Sequence, residues 1–278
     1  MRLRLDLAYD GTDFHGWAAQ PGLRTVQGLL EEALARVLRV EQAPVTCAGR
    51  TDTGVHARGQ VAHLDVDEEI LLASRGRSAD PPEGALRRRL DGLLPEDVRV
   101  KSVSLAPEGF DARFSAVWRR YAYRIADEPR AVDPLARRSV LAWPRRLDLD
   151  AMNAASTALV GEHDFAAFCK RREGATTVRE VLELGWARDT AGVVVATVRA
   201  DAFCHHMVRS LVGCLIAIGE GRRDAPWVAD VLGRRERDPA VTVVHAHGLT
   251  LEEVGYPDDA ELAERARASR RLRVLADG

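Results

Sequence analysis

Residues 2–9 alternate strictly, with Leu3, Leu5, Leu7 and Tyr9 on one side and Arg2, Arg4, Asp6 and Ala8 on the other. That two-residue period predicts a half-buried strand with a polar outer face. After Thr25 the period changes: Val26, Leu29, Leu30, Ala33, Leu34, Val37 and Leu38 recur at three and four, so a helix capped by the Thr25 hydroxyl follows. Residues 45–48 and 60–66 read as strands on either side of a glycine-punctuated loop, and residues 98–105 as another strand. Residues 79–84, with two prolines and a glycine, predict a surface loop leading to a short helix around 85–93. Further on, the pattern predicts a strand over 119–126, a helix over 151–159, strands over 177–187 and 193–201, and a helix over 206–218. Each half mixes strands with one or two helices. The fold class is therefore α+β, as two similar sandwiches over residues 1–107 and 108–257 with a seam near Pro107, although no sequence repeat is visible. The Ala-, Arg- and Glu-rich stretch 258–278 is expected to be a frayed helix or disordered.

Composition narrows the class. At 278 residues, with 46% hydrophobic and 29% charged residues, the chain can bury a core and is neither disordered nor fibrous. Its longest strongly apolar stretch, 211–219, is far shorter than the roughly 20 residues of a membrane span, and MRLRLDLAYD has no apolar signal core, so neither membrane insertion nor export is expected. Cys47, Cys169, Cys204 and Cys214 include no CxxC pair. That argues against a zinc knot or a disulfide framework, and reduced thiols in a cytoplasmic protein are the expectation.

The net charge of −2 does not advertise nucleic acid, yet the distribution does. Between Arg99 and Arg146 there are 11 basic residues against five acids, interleaved with Phe110, Phe114, Trp118, Tyr121 and Tyr123. Arginine forks and aromatic faces together suit a polyanion with stackable bases, although solvated strand faces carry similar charge.

The most concentrated chemistry lies in residues 49–59, GRTDTGVHARG, where Asp52, Arg50, Arg58 and His56 sit among three glycines. A carboxylate two residues after a fixed cation, on a turn whose glycines permit tight backbone, has a nucleophile's surroundings. The same pattern also fits an Asp closing a turn between two strands. Residues 9–17, YDGTDFHGW, have a similar character. His56, His63, Asp10, Asp13 and His15 lack metal-ligand spacing, and Gly213, Gly219 and Gly221 form no phosphate cradle. His205 and His206 open a helix as core or cap residues, and Arg209, one turn inside, either pairs with a carboxylate or is solvated.

Taken together, YDGTDFHGW, TVQGLLEEAL, CAGRTDTGVHARGQVAH, FDARFSAVWRRYAYRI, GEHDFAAF, FCHHMVRSLVG and AHGLTLEEVGYP, in this order up to Pro257, resemble the tRNA pseudouridine synthase A family. The resemblance implies the pseudouridine synthase fold: two α+β, ferredoxin-like halves with mainly antiparallel sheets and a central active-site cleft. It makes Asp52 the catalytic nucleophile and Arg50 its neighbouring cation. It makes Tyr121 the residue that stacks on the target base, Arg209 the expected ion-pair partner of the aspartate, and Leu249 an apolar residue of the same pocket. It further implies a homodimer acting on uridines 38, 39 and 40 in the anticodon arm of tRNA, with no metal and no small-molecule cofactor. Three departures from the family pattern are a long connection over 70–84, Asp91 in place of an expected Asn, and the stretch after Pro257. Two other readings stand beside it: an RNA-binding module without catalysis, and a hydrolase pairing Asp52 with Asp10 or Asp13.

Overall fold

A computed structural model describes residues 1–170, 176–234 and 236–270. The elements begin with β1 Arg2–Tyr9, α1 Val26–Leu38, β2 Val45–Cys47, β3 His56–Asp65, α2 Glu68–Arg75, α3 Pro82–Asp91 and β4 Val98–Leu105. They continue with β5 Trp118–Ala126, β6 Leu141–Ala142, α4 Leu149–Ser156, β7 Gly161–Asp164, β8 Val178–Arg188 and β9 Val194–Ala200. The last are α5 Met207–Gly219, α6 Pro226–Gly233, β10 Leu249–Gly255 and α7 Leu262–Ser269. The protein is α+β, and all its strand pairings with a described register are antiparallel except the short parallel pair of β5 and β6.

The described residues divide into two compact units, Met1–Val117 with residues 251–270, and Trp118–Thr250. In the first, the strands run β4-β1-β3-β10, with β2 beside β3. The alternation in β1 does what the pattern predicts: Leu3, Leu5 and Leu7 are fully buried while the residues between them are half-exposed. The Thr25 hydroxyl accepts the Gly28 N–H at the start of α1, whose Leu30 and Leu34 are also fully buried. The unit extends past the expected seam at Pro107, and it takes in residues 251–270. Tyr256 donates its hydroxyl to the Ala112 carbonyl at 2.7 Å, and the Ser115 hydroxyl reaches the Leu262 carbonyl in a buried hydrogen bond, so the two stretches are joined. Part of the stretch expected to fray is therefore the ordered helix α7, while residues 271–278 lie outside the described residues.

Two local expectations for this unit change. Residues 68–75 form α2, and the 79–84 loop ends early because Pro82 opens α3. Proline at a first helical turn loses no hydrogen bond and supplies a helical φ. Likewise β3 begins at His56, inside the expected loop. Gly59, which marked that loop, is a strand residue: a Cβ there would lie 2.2 Å from the Glu252 carbonyl oxygen of β10, so only glycine lets the neighbouring main chain approach.

In the second unit the strands run β5-β9-β8-β7, with β6 beside β5. Helix α4 packs on β8 and on α5, and α5 is buried along nearly its whole length. Asp127 and Arg188 form a two-pronged ion pair at 2.6 and 2.9 Å, and the Leu147 N–H donates to the same carboxylate at 2.9 Å. Burial pushes the Asp127 carboxyl up, but the guanidinium and the N–H outweigh it and hold it below the usual range. The expectation of reduced thiols is corrected here: Cys169 and Cys204, 35 residues apart in sequence, are joined in a disulfide, with Cα atoms 5.8 Å apart, while Cys47 and Cys214 are buried thiols. Linear spacing carries no information on that proximity, because the segments before Lys170 and before α5 meet through main chain, with the Lys170 N–H donating to the His205 carbonyl at 2.9 Å.

Candidate active-site residues

Asp52 sits in the first unit, half-buried, on the turn between β2 and β3. Its own carbonyl accepts the Val55 N–H at 3.1 Å, which closes the turn, and the Gly54 N–H, at φ +76°, donates to the Phe14 carbonyl at 3.3 Å. On the other side of Asp52, the Thr51 carbonyl accepts the Trp17 N–H at 3.0 Å. The loop is thus laid main chain against main chain on residues 10–17. Two glycines there make the approach possible: Gly16 adopts φ +91°, and a Cβ on Gly11 would lie 2.0 Å from the Val55 carbonyl oxygen. The two motifs that looked alike in the sequence are partners in space.

Arg50 is exposed at the start of the same turn, and Thr51 between it and Asp52 is buried. His56 and His63 take structural roles. Each accepts a main-chain N–H at Nδ1, from Gly11 and from Ala112 respectively, both at 3.0 Å. Burial holds the His63 imidazole below its ordinary pKa, assisted by the charge of Arg2 and opposed by Asp111 and Asp65.

Beneath the Asp52 turn lies a set of groups that the sequence did not single out. The Gln60 side-chain amide donates to the Gly49 carbonyl at 2.8 Å and to the Tyr9 hydroxyl at 3.2 Å. The Tyr9 and Thr51 hydroxyls are 2.7 Å apart. The one available signal was a glutamine at the head of the apolar run of β3.

The remaining candidates belong to the second unit. Tyr121, on β5, is buried, and its ring meets Phe203 edge-on at 5.1 Å. Arg209 lies on the first turn of α5, half-buried, with Nε donating to the Val244 carbonyl at 2.7 Å. Leu249 is buried at the head of β10, directly after a single 3-10 turn over Ala246–Gly248. Gly248 has the Tyr123 ring within 2.7 Å of where its Cβ would stand, and Tyr123 donates to the His245 carbonyl at 2.7 Å. His206, the residue before α5, holds a left-handed backbone at φ +68°, a strained conformation for a histidine.

A half-buried carboxylate held on a braced turn of an α+β unit has the fixed placement that nucleophilic chemistry by a side chain requires. Residues 7–115 and 155–257 match the family model described as tRNA pseudouridine synthase. The chain is similar to the tRNA pseudouridine synthase A of Frankia casuarinae, with 59% identity over 274 residues, 99% of this chain and 96% of that one. It is 57% identical to the same enzyme of Streptomyces griseus over 277 residues, covering 99% and 95% of the two chains. With the enzyme of Streptomyces avermitilis it shares 56% over 280 residues, 99% and 95%. The chain belongs to the tRNA pseudouridine synthase family, a family of isomerases. Arg50, Asp52, Arg209 and Leu249 fall within the matched residues, and Tyr121 falls between the two matched stretches.

Proposed function

We propose that the protein converts uridine to pseudouridine at positions 38, 39 and 40 in the anticodon arm of tRNA, with Asp52 as the nucleophile. The observation that carries this reading is the Asp52 turn: a half-buried carboxylate in a GRTD motif, fixed on both sides by main-chain hydrogen bonds to residues 14 and 17. A group held this way meets its target with little further loss of freedom.

The isomerisation breaks the bond between N1 of uracil and C1′ of ribose, turns the base, and joins C5 to C1′. The C5 proton is lost and N1 gains one, so neither redox change nor phosphate energy enters. Asp52 serves either by adding to C6 of the ring or by attacking C1′, and each route requires its ionised form. Arg50 and Arg209 act as the cations that favour that form. Tyr121 stacks on the base while it is detached, and Leu249 gives the pocket an apolar wall. The target base leaves its stack to reach the carboxylate, at a cost of about a few kcal/mol. Arginine-rich surface contacts phosphates and so reads shape in place of sequence. The protein works as a cytoplasmic homodimer, because one subunit's basic surface is modest for a whole arm.

The test is Asp52→Asn, which keeps size and hydrogen-bonding shape and removes the charge. Turnover of unmodified tRNA, read by carbodiimide-dependent primer-extension stops, is expected to vanish while tRNA affinity changes little. Product above background would reject Asp52 as nucleophile. Binding without product in the wild type would favour an RNA-binding module, and water-dependent cleavage would favour a hydrolase.

A further inference from the structure

We infer that Gln60, Tyr9 and Thr51 form a buried positioning relay that fixes the Asp52 carboxylate in its reactive placement. The inference rests on the reading of Asp52 as the nucleophile. All three side chains are almost wholly excluded from solvent: Gln60 is 0%, Tyr9 5% and Thr51 6% exposed. Polar groups so placed persist only when their hydrogen bonds are made, because a buried donor left without an acceptor is costly.

The relay starts at Gln60. The Gln60 carbonyl oxygen faces its own neighbour's main chain, accepting the Val61 N–H at 3.3 Å, so the amide nitrogen points to the loop. Its two N–H groups go to the Gly49 carbonyl and the Tyr9 phenol oxygen. The Tyr9 and Thr51 hydroxyls, 2.7 Å apart, carry the chain on to the residue beside Asp52. Gly49 and Thr51 are three and one residues before Asp52, so the relay grips the turn at two points on its entry side. The Trp17 and Phe14 contacts described above hold its main chain elsewhere. Tyr9 and Gln60 themselves stand on β1 and β3, which pair antiparallel, so the turn is referred to the rigid centre of the unit's sheet.

None of the three side chains is assigned to the reacting atoms. They act through Asp52, and the chemistry is sensitive to such placement: a misplacement of about 1 Å lowers turnover on the order of a hundredfold. Removing one hydroxyl from the relay should therefore lower kcat and leave tRNA binding alone.

The experiment uses the full-length protein with unmodified tRNA and compares Tyr9→Phe, Thr51→Val and Thr51→Ser with the wild type and with Asp52→Asn. Tyr9→Phe and Thr51→Val are expected to lower kcat by tens-fold to about a hundredfold with KM within about twofold, and Thr51→Ser, which keeps the hydroxyl, to restore most of the loss. Thermal midpoints recorded on the same samples separate displacement from unfolding. A merely structural role would lower the midpoint of Thr51→Val while kcat of the folded fraction stays at the wild-type value, and that result would overturn the inference. So would equal kcat in Thr51→Ser and Thr51→Val, or a loss confined to KM. Should Tyr9→Phe fail to fold, the Thr51 pair decides alone. An active Asp52→Asn would remove the nucleophile reading itself, whereas an inactive Asp52→Asn beside fully active relay variants would remove only the relay.

Discussion

Replacing Gly11 by alanine tests whether the two loops of the first unit are truly locked together. The added Cβ would lie 2.0 Å from the Val55 carbonyl oxygen and 2.5 Å from its carbon, both main-chain atoms that cannot rotate away. Since real Cβ atoms essentially never come within 3.0 Å of such a neighbour, the loops must part by about 1 Å. Gly11 cannot retreat cheaply either, because its N–H donates to His56 at 3.0 Å and its carbonyl accepts the Phe14 N–H at 3.1 Å. Overpacking of a tight site costs about 1–3 kcal/mol, and one buried hydrogen bond lost adds about 1 kcal/mol. The expected destabilisation is therefore about 3 kcal/mol, which for a chain of this size lowers the thermal midpoint by roughly 6–12 °C. Val55 is three residues from Asp52, so turnover of the folded variant should fall on the order of a hundredfold as well. Gly233→Ala is the control, because nothing lies within 4 Å of its Cβ position. Calorimetry and the primer-extension assay on both variants decide the matter. A midpoint for Gly11→Ala within about a degree of wild type, with normal turnover, would refute the argument that main-chain contact holds the turn.

Three further outcomes follow from other sites. Arg188→Met should destabilise the protein by about 3–5 kcal/mol in urea unfolding, because it leaves the Asp127 carboxylate, whose side chain is 0% exposed, without its cation. His63 has a folded-state pKa below its unfolded value of about 6.5, so the fold favours the neutral ring; stability should be complete above that pH and decline as pH falls below it, while the unfolded chain takes up a proton that the folded one refuses. His63→Asn, which keeps an acceptor for the Ala112 N–H, should flatten that decline in midpoints measured between pH 5 and 7, and an unchanged slope would count against His63 as its source. Arg137 and Arg138 are both exposed. Their double replacement by alanine should lower the slope of log tRNA affinity against log salt by somewhat under one unit per lost phosphate contact, and parallel slopes would take this segment off the RNA surface.

What the sequence revealed and what it hid have separate physical origins. β1 and α1 were legible to the residue because each buries one regular face, and period counting detects regular faces. β7, with four residues, and α2, with eight, are too short for either period to stand out. β10 was missed, and α7 was expected only as a frayed helix or disorder, for another reason: they complete a sheet and a core formed mainly by residues more than 130 positions earlier, and only long-range packing defines them. Arg145 shows the same limit on charge counting, since its partner Glu220 lies outside the basic segment in which it was tallied.

The candidate nucleophile was visible because GRTD is a compact signature, but the relay that holds it depends on a register that no linear pattern encodes. In the pairing of β1 with β3, Leu7 faces Gln60, yet Tyr9 faces Ala57: between them β3 carries one residue more than β1. That extra residue is a bulge, and Gly59 lies inside it, against the Glu252 carbonyl. Regular pairing would set Tyr9 opposite Arg58, an exposed residue, and the strict two-residue alternation would break on the core side. The bulge instead keeps both Leu7 and Tyr9 over buried partners and leaves the phenol within reach of Gln60 and Thr51. Gly59, read from sequence as part of a loop, is thus the residue that lets a strand misstep by one and bring the relay under Asp52.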